Sequence, residues 1–351
     1  MPTRPDIQQA RLFAQLIDQL QPEVWRGFMA SVTDLQANVD WQALLTALES
    51  GNTEAAITAL NINPAAFAEY SAIVSSAYAT AGASTIAQIR QKGIAGIGIR
   101  FMMTDPRAER WISENVATRV VDFTNEQIRV ARDIIRAGFE LGNGPRTIAR
   151  DLAGRVGASG TREGGVLGLD GPRAQRLDNV RQGMRTAEGV RSLVIEHADG
   201  SVSLRYKVNP ATAQRILKAY RTEQAVPVAD QAISERQYYN ALLKDRADTV
   251  AITETANAVM GAREQAWVQA AQSQGMNAGD VIKTWRHRRG ASKYHRPDHL
   301  AMSGKSVTGL DSYFEFPDGA RMKYAHDRNG GARHIIRCGC STEYRLAKRV
   351  G

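Results

Sequence analysis

Histidine and cysteine are concentrated near the C-terminal end of the chain. Five of the six histidines and both cysteines lie in the last 65 residues, at His287, His295, His299, His326, His334, Cys338 and Cys340. Thiolate and imidazole ligands together favour zinc in a reducing compartment, and two cysteines with two histidines form a standard tetrahedral structural shell. The sequence therefore predicts a structural zinc site in this segment.

Spacing selects four of these residues as metal ligands. Cys338 and Cys340, two residues apart on a strand or tight turn, can point to one side, and His295 and His299, four apart, would share one face of a helical turn. The other three histidines remain alternatives to His295. A second interpretation makes the cysteines small core residues and His299 a buried histidine that is bonded to a backbone carbonyl.

The same segment gives little sign of catalysis. It contains no clear carboxylate pair and no H-E-x-x-H arrangement, and no Ser/His/Asp or Cys/His pairing can be placed. We predict no catalytic residue and no enzymatic activity. A metal-dependent nuclease or a toxin-like enzyme remains the alternative, because histidines lie beside Asp298 and several basic residues.

The positive charge of the chain lies in the same region. From residue 283 to the end, 15 Lys and Arg oppose 6 Asp and Glu, which accounts for the whole net charge of +9. A basic terminal module usually contacts nucleic acid or an acidic protein surface, and the alternative is an exposed charged face that maintains solubility. The candidate DNA contacts are Arg286, Arg288, Arg289 and Lys293.

Composition places the chain among ordinary globular proteins. Hydrophobic residues make up 43% and charged residues 23% of 351 residues, which permits one large domain or two to three smaller ones. No segment reaches the roughly 20 apolar residues of a membrane span, and the N-terminus lacks the apolar core of a secretion signal. We expect synthesis in a reducing bacterial cytoplasm.

Periodicity predicts a mainly α fold with a β-hairpin insertion and a small α+β C-terminal module. Three consecutive regions follow: N-terminal helices over 1–100, a helical core over 101–280 and the basic module over 281–351. Asp199-Gly200 between alternating apolar residues indicates a hairpin at about 189–208. The longest helix is expected over 230–275.

Helix boundaries are predicted from proline, glycine and capping residues. A first helix should end before Pro22, and a helix from Asp105 should run to about Val121, with another starting near Thr124. The glycine-rich stretch 93–100 matches no phosphate-binding fingerprint and is interpreted as a hinge.

Several fragments resemble one protein family. The run DTVAITETANA over 248–258 is similar to the A-x-x-I-A-R-T-E-T helix of phage Mu F-like minor head proteins, with Thr253 where that family has Arg. Further elements follow in the family's order, namely Trp285, the R-P-x-H run over 296–299, Gly304 and the C-x-C at 338–340. The resemblance covers roughly residues 105–345, and its structural motif residues are Glu254, Trp285, Arg296 and Gly304.

The resemblance implies a structural protein of a tailed-phage virion. Such a protein would lie inside the head near the portal and assist head assembly, DNA packaging or DNA ejection, after assembly in the host cytoplasm. Its partners would be the portal protein, the major capsid protein, a scaffold protein and packaged DNA, bound without sequence specificity. Glu254 is expected to pair with an arginine, for example one from the C-terminal module. A DNA-binding regulator that uses the helix PRTIARDLAGRVG is a further alternative.

Overall fold

A computed structural model describes residues 4–94, 96, 98–157, 160–287 and 295–347. The fold is mainly α, with small antiparallel sheets. The helices are α1 (Arg4–Ala37), α2 (Trp41–Glu49), α3 (Thr53–Ala59), α4 (Ala68–Gln91), α5 (Pro106–Ile112), α6 (Thr118–Glu140), α7 (Pro145–Ala153), α8 (Gly171–Met184), α9 (Ala187–Ser192), α10 (Pro210–Arg221), α11 (Val228–Ser273), α12 (Pro297–Met302) and α13 (Gly331–Ile335).

The strands are short. They are β1 (Arg155–Val156), β2 (Arg162–Glu163), β3 (Val194–Glu196), β4 (Val202–Leu204), β5 (Val281–His287), β6 (Ser306–Thr308), β7 (Phe314–Glu315), β8 (Arg321–Met322) and β9 (Cys340–Leu346). Among them β6, β5 and β9 form a three-stranded antiparallel sheet with β5 in the centre. The other strands pair as hairpins.

The chain folds into two compact units. The first unit contains residues 1–28, 67–120 and 248–351, and the second contains 29–66 and 121–247. These discontinuous units cut across the three consecutive regions expected from the sequence. Periodicity shows which face of a helix is buried but not which distant segment covers it, so the sequence order of the elements did not give this grouping.

Polar side chains fix the starts of many helices. Asp40, Asn52, Asp105, Asp170 and Asn209 each accept a hydrogen bond from a backbone N–H in the first turn of the helix that follows. These bonds satisfy donors that have no partner inside the helix. The cap at Asp105 begins α5 as the sequence predicts.

Two predicted helix boundaries are wrong. The chain stays helical through Pro22 because buried side chains continue past it, among them Val24 and Phe28, and their packing outweighs the lost hydrogen bond. The predicted break near Thr124 is also absent, since α6 runs without interruption over Phe123 and Thr124, both of them buried.

Other expectations are confirmed. The hairpin is present as β3 and β4, with Gly200 at φ +79°, although residues 187–192 before it are helical. The long helix α11 matches the predicted 230–275. None of the helices in the described part of the chain is long and apolar enough to cross a membrane.

The C-terminal module belongs to the first unit and packs there on a shared core. Trp267 on α11 stacks on Tyr344 of β9 at 5.8 Å between ring centroids, and Val281 of β5 and Leu310 lie in the same cluster. Lys283 of β5 is fully buried, and its Nζ donates to two backbone carbonyl oxygens at 2.7 and 2.8 Å. These contacts all lie on the face of β5 that bears Val281 and Lys283, and they fix the central strand of the module there.

Candidate metal centre

The two cysteines lie in a tight turn that leads into β9. Arg337, just before them, adopts a left-handed backbone conformation with φ +49°, and Cys340 is the first residue of the strand. The backbone N–H of Cys340 donates to Sγ of Cys338 at 3.3 Å. Both side chains are buried and neither forms a disulfide. The turn therefore directs two thiol groups into one interior space, as the C-x-C spacing predicts.

His299 brings an imidazole to these sulfur atoms. It lies on α12, is 1% exposed, and its Nδ1 is 3.4 Å from Sγ of Cys338 and 3.4 Å from Sγ of Cys340. Tetrahedral zinc with Zn–S of about 2.3 Å and Zn–N of about 2.0 Å separates S and N ligands by about 3.5 Å. The three ligand atoms all lie within 4.8 Å of one another and can hold a metal ion.

A chain of hydrogen bonds fixes the other side of the His299 ring. Its Nε2 is 2.9 Å from Nδ1 of His334, and Nε2 of His334 is 2.9 Å from Oδ2 of Asp318. A carboxylate acceptor keeps a proton on Nε2 of His334, so Nδ1 of His334 accepts from Nε2 of His299. The arrangement leaves Nδ1 of His299 as a lone-pair donor toward the cysteines. Outer partners of this kind orient metal-binding histidines.

A second group of possible ligands overlaps the first. One atom each of Asp298, His299 and His334 lie within 4.8 Å of one another. The two groups share His299 and differ in ligand chemistry, oxygen and nitrogen in one, sulfur and nitrogen in the other. Thiolates bind zinc better than a carboxylate and an imidazole do, and both cysteines are buried. The cysteine group is thus the stronger candidate.

The structure places His295 elsewhere. It precedes α12, is exposed, and its Nδ1 lies 2.9 Å from Nε2 of His287. Pro297 opens α12, so His295 and His299 do not share a helical face. The structure thus brings together three of the four predicted ligands, His299, Cys338 and Cys340, and leaves His295 in contact with a different histidine.

The two thiols have unlike acidities. A hydrogen bond from the Cys340 thiol holds the pKa of Cys338 well below its usual range, with His326 and His299 adding to the effect. The same shared proton raises the pKa of Cys340, as does burial. A lowered thiol pKa favours the thiolate form, which is the form that binds a divalent cation.

Three residues on which the sequence resemblance rests lie around the cluster. Trp285 on β5 is fully buried, and its ring stands edge-on to His299 at 5.7 Å and to Phe316 at 5.1 Å. Gly304, at φ +90°, donates its N–H to the carbonyl of Trp285 at 2.8 Å. A residue with a Cβ would be strained in that conformation. Arg296 donates to the carbonyl of Ile336 at 2.7 Å, two residues before the first cysteine.

Glu254 lies on α11 with a different partner from the one expected. Its carboxylate pairs with Arg119 at 2.8 Å and not with an arginine of the C-terminal module. Arg337 of that module donates its backbone N–H to the hydroxyl of Thr253 at 3.1 Å and its Nε–H to the hydroxyl of Thr249 at 2.9 Å.

Most of the predicted DNA contacts fall outside the described residues, namely Arg288, Arg289 and Lys293. Arg286 is described, and its Nε lies 2.7 Å from Oε2 of Glu343 in the neighbouring strand. Its charge is therefore paired within the module, which weakens it as a phosphate contact.

A cavity of about 340 Å³ lies in the first unit, and the three metal-ligand candidates do not line it. Its buried carboxylate, Glu264, accepts from the hydroxyl of Tyr344 at 2.7 Å and pairs with Lys283 at 3.4 Å. Burial raises the pKa of Glu264, against the opposing effect of Lys283. This carboxylate is thus held by contacts to Tyr344 and Lys283 at the wall of the cavity.

The sequence pattern indicates no role for Asp318 and leaves His287, His326 and His334 as unranked alternatives to His295. Asp318 lies in the turn between β7 and β8, and its spacing from the cysteines has no recognisable metal-site pattern. Comparison with known proteins found no matching family model, no matching curated protein and no matching solved structure.

Proposed function

We propose that the chain is a structural protein of a tailed-bacteriophage head whose C-terminal module is held together by zinc. It would lie inside the head near the portal, contact the portal and major capsid proteins and a scaffold protein, and assist head assembly and the packaging or ejection of DNA. The sequence resemblance supports this assignment over residues 105–345.

One structural observation carries the proposal. Trp285, Gly304 and Arg296, which belong to the resemblance, all contact the segments that hold His299, Cys338 and Cys340. Trp285 packs edge-on against the ring of His299, and the backbone N–H of Gly304 donates to the carbonyl of Trp285. Arg296 donates a hydrogen bond to the carbonyl oxygen of Ile336. Residues that serve a packed framework in this way favour a structural role over catalysis.

The burial of the ligands favours a structural zinc over a catalytic one. His299, Cys338 and Cys340 are 1%, 4% and 1% exposed. A catalytic zinc keeps a position open to substrate, whereas a structural zinc is closed by protein ligands. A head-associated nuclease is the competing proposal. It predicts metal-dependent nicking of supercoiled plasmid by the purified chain, and the structural proposal predicts none.

The DNA contact depends on a charge excess that lies partly outside the described residues. Within 283–287 and 295–347, ten Lys and Arg face all six acidic residues of the module, a net of +4. Several of these cations are paired, as at Arg321–Glu315 and Lys323–Asp311. We expect the full chain to bind DNA without sequence preference and to lose affinity steeply as salt rises. If the chain does not bind DNA, or binds it with an affinity that does not depend on salt, the positive charge would instead serve contact with an acidic protein partner.

The head assignment is tested in the strain that carries the gene. Particles are induced, separated on a density gradient, and the chain is quantified by mass spectrometry in DNA-filled heads. We expect a few copies per head, and a lower yield of filled particles when the gene is deleted, restored by the wild-type copy. Heads that lack the chain and form normally without it would contradict the proposal.

A further inference from the structure

We propose that His287 is the fourth ligand of the zinc site and that His295 orients it, so that the shell is Cys338, Cys340, His299 and His287. The inference rests on the zinc part of the proposed function. It replaces the spacing-based choice of His295 with a residue fixed by strand pairing.

The strand register places His287 beside the cysteines. In the antiparallel pair β5–β9, His287 lies directly opposite Cys340, and Trp285 lies opposite Thr342. Side chains alternate along a strand, so His287 and Trp285 project on the same face, and the Trp285 ring contacts His299 there. The backbone N–H of His287 also donates to Oγ of Ser303 at 3.1 Å. His287 is therefore held by sheet pairing on the face of the sheet that bears the cluster.

The distances assign the nitrogen atoms of His287. Its Nδ1 is 3.4 Å from Sγ of Cys340, close to the separation of about 3.5 Å expected between S and N ligands of one zinc. Its Nε2 is 2.9 Å from Nδ1 of His295. His295 therefore occupies the far nitrogen and leaves Nδ1 for the metal. His287 is outside the group of atoms that lie within 4.8 Å of one another, so its ring must move toward Cys338 and His299 as the shell closes.

The alternative fourth ligand, His334, is on the wrong side of His299. Its Nδ1 contacts Nε2 of His299, whereas the cysteine sulfurs contact Nδ1. A metal held by both cysteines and by Nδ1 of His299 cannot be reached by an atom bonded to the opposite nitrogen. Both metal-binding histidines would then be oriented by a second histidine, His299 by His334 and His287 by His295.

The first experiment measures zinc affinity of the full chain by competition with a chromophoric chelator. We expect His287→Ala to lower affinity by more than about 100-fold and His295→Ala, an outer partner, by about 10- to 100-fold. His197→Asn is the control, because this histidine lies in the β3–β4 hairpin of the second unit, where its Nε2 contacts the hydroxyl of Ser203 at 2.8 Å. Its affinity should stay within a few-fold of wild type.

The second experiment keeps a ligand at position 287 and changes its type. In cobalt-loaded His287→Cys the number of thiolates would rise from two to three, so the sulfur-to-cobalt charge-transfer band should grow about 1.5-fold. This readout needs a folded, metal-loaded protein and cannot arise from unfolding. An unchanged band would show that the side chain at 287 does not reach the metal and would overturn the inference.

The remaining outcomes are distinguishable. Wild-type affinity in His287→Ala, or a larger loss in His295→Ala than in His287→Ala, also overturns the choice of His287 while the zinc site stands. A wild-type chain that binds no zinc removes the zinc proposal itself, and the fourth ligand with it.

Discussion

Each of the two compact units buries a polar cluster, and the two clusters are balanced by different means. In the second unit Arg181, 2% exposed, pairs with Glu235 at 2.7 Å and with Asp151 at 3.7 Å, and donates to two backbone carbonyls. Burial alone would lower the pKa of Arg181, but Glu235 and Asp151 outweigh it and raise the pKa. This cluster contains both its anions and its cation.

The cluster of the first unit is made of metal-ligand groups. His299, Cys338 and Cys340 bring a lowered-pKa thiol, a second thiol and an imidazole lone pair into one buried space. Isolated negative charge in a protein interior is costly unless a cation neutralises it. The difference between the two clusters lies in their charge balance. One that holds both signs stabilises the fold by itself, and one that gathers ligand atoms is suited to a bound cation.

Replacement of Arg181 should have the largest effect on the stability of the protein. Arg181→Leu removes the partner of the partly buried Glu235 and leaves the buried Asp151 with Arg185 alone, at 3.5 Å, which should cost about 3 kcal/mol in the free energy of unfolding. Denaturant unfolding followed by circular dichroism measures it. Arg136→Leu, which removes an exposed pair on α6, serves as the control and should change stability by less than about 0.5 kcal/mol. Equal effects for both variants would mean that the cluster adds nothing.

The next effect concerns the outer partner of His299. Asp318→Asn can no longer hold the proton on Nε2 of His334, so zinc affinity should fall by about 10- to 100-fold with the fold retained. Asp311→Asn changes an exposed carboxylate of the same module that pairs with Lys323 and should leave zinc affinity unchanged. If both variants bind zinc like wild type, the hydrogen-bond chain does not orient His299.

A smaller effect involves pH. Burial lowers the pKa of His326, so the folded chain holds this imidazole neutral. The contribution to stability is present above the unfolded pKa of about 6.5 and is lost as the pH falls through the lower folded value. His326→Asn, which tolerates the left-handed φ of +70° at this position, should reduce the loss of stability between about pH 7.5 and 5.5 by about 1 kcal/mol.

Denaturant unfolding of both proteins in excess zinc, at the two pH values, checks this prediction. An identical pH dependence in His326→Asn and wild type would mean that another group controls stability over this range.

Much of the fold could be predicted because its signals are local. The caps at Asp105 and Asn52, the turn at Asp199-Gly200 and the periodicity of α11 each lie within a few residues of the structure they specify. The path through Pro22 could not be predicted, since it depends on the distant residues that pack against α1. The grouping into two units depends on long-range contacts in the same way.

The site residues also fall into two groups, those placed by local sequence and those placed by long-range contacts. Cys338 and Cys340 come together through one turn, and the spacing of two residues indicates this. The role of His287 depends on which residue lies opposite it in β9, and the contribution of Asp318 depends on the position of the β7–β8 turn. Register and turn placement are set by the whole module, so spacing alone selected His295, and no local pattern indicated Asp318.

The central claim, that the buried His/Cys cluster is completed by zinc, is tested most directly on the purified full chain with and without a chelator. Native mass spectrometry should give one zinc per chain, released by the chelator. Hydrogen exchange should then rise in β5 and β9, while the helices around Arg181 stay protected. A metal-free chain whose β5 and β9 are as protected as the second unit would contradict the claim, and the cysteines would be ordinary core residues.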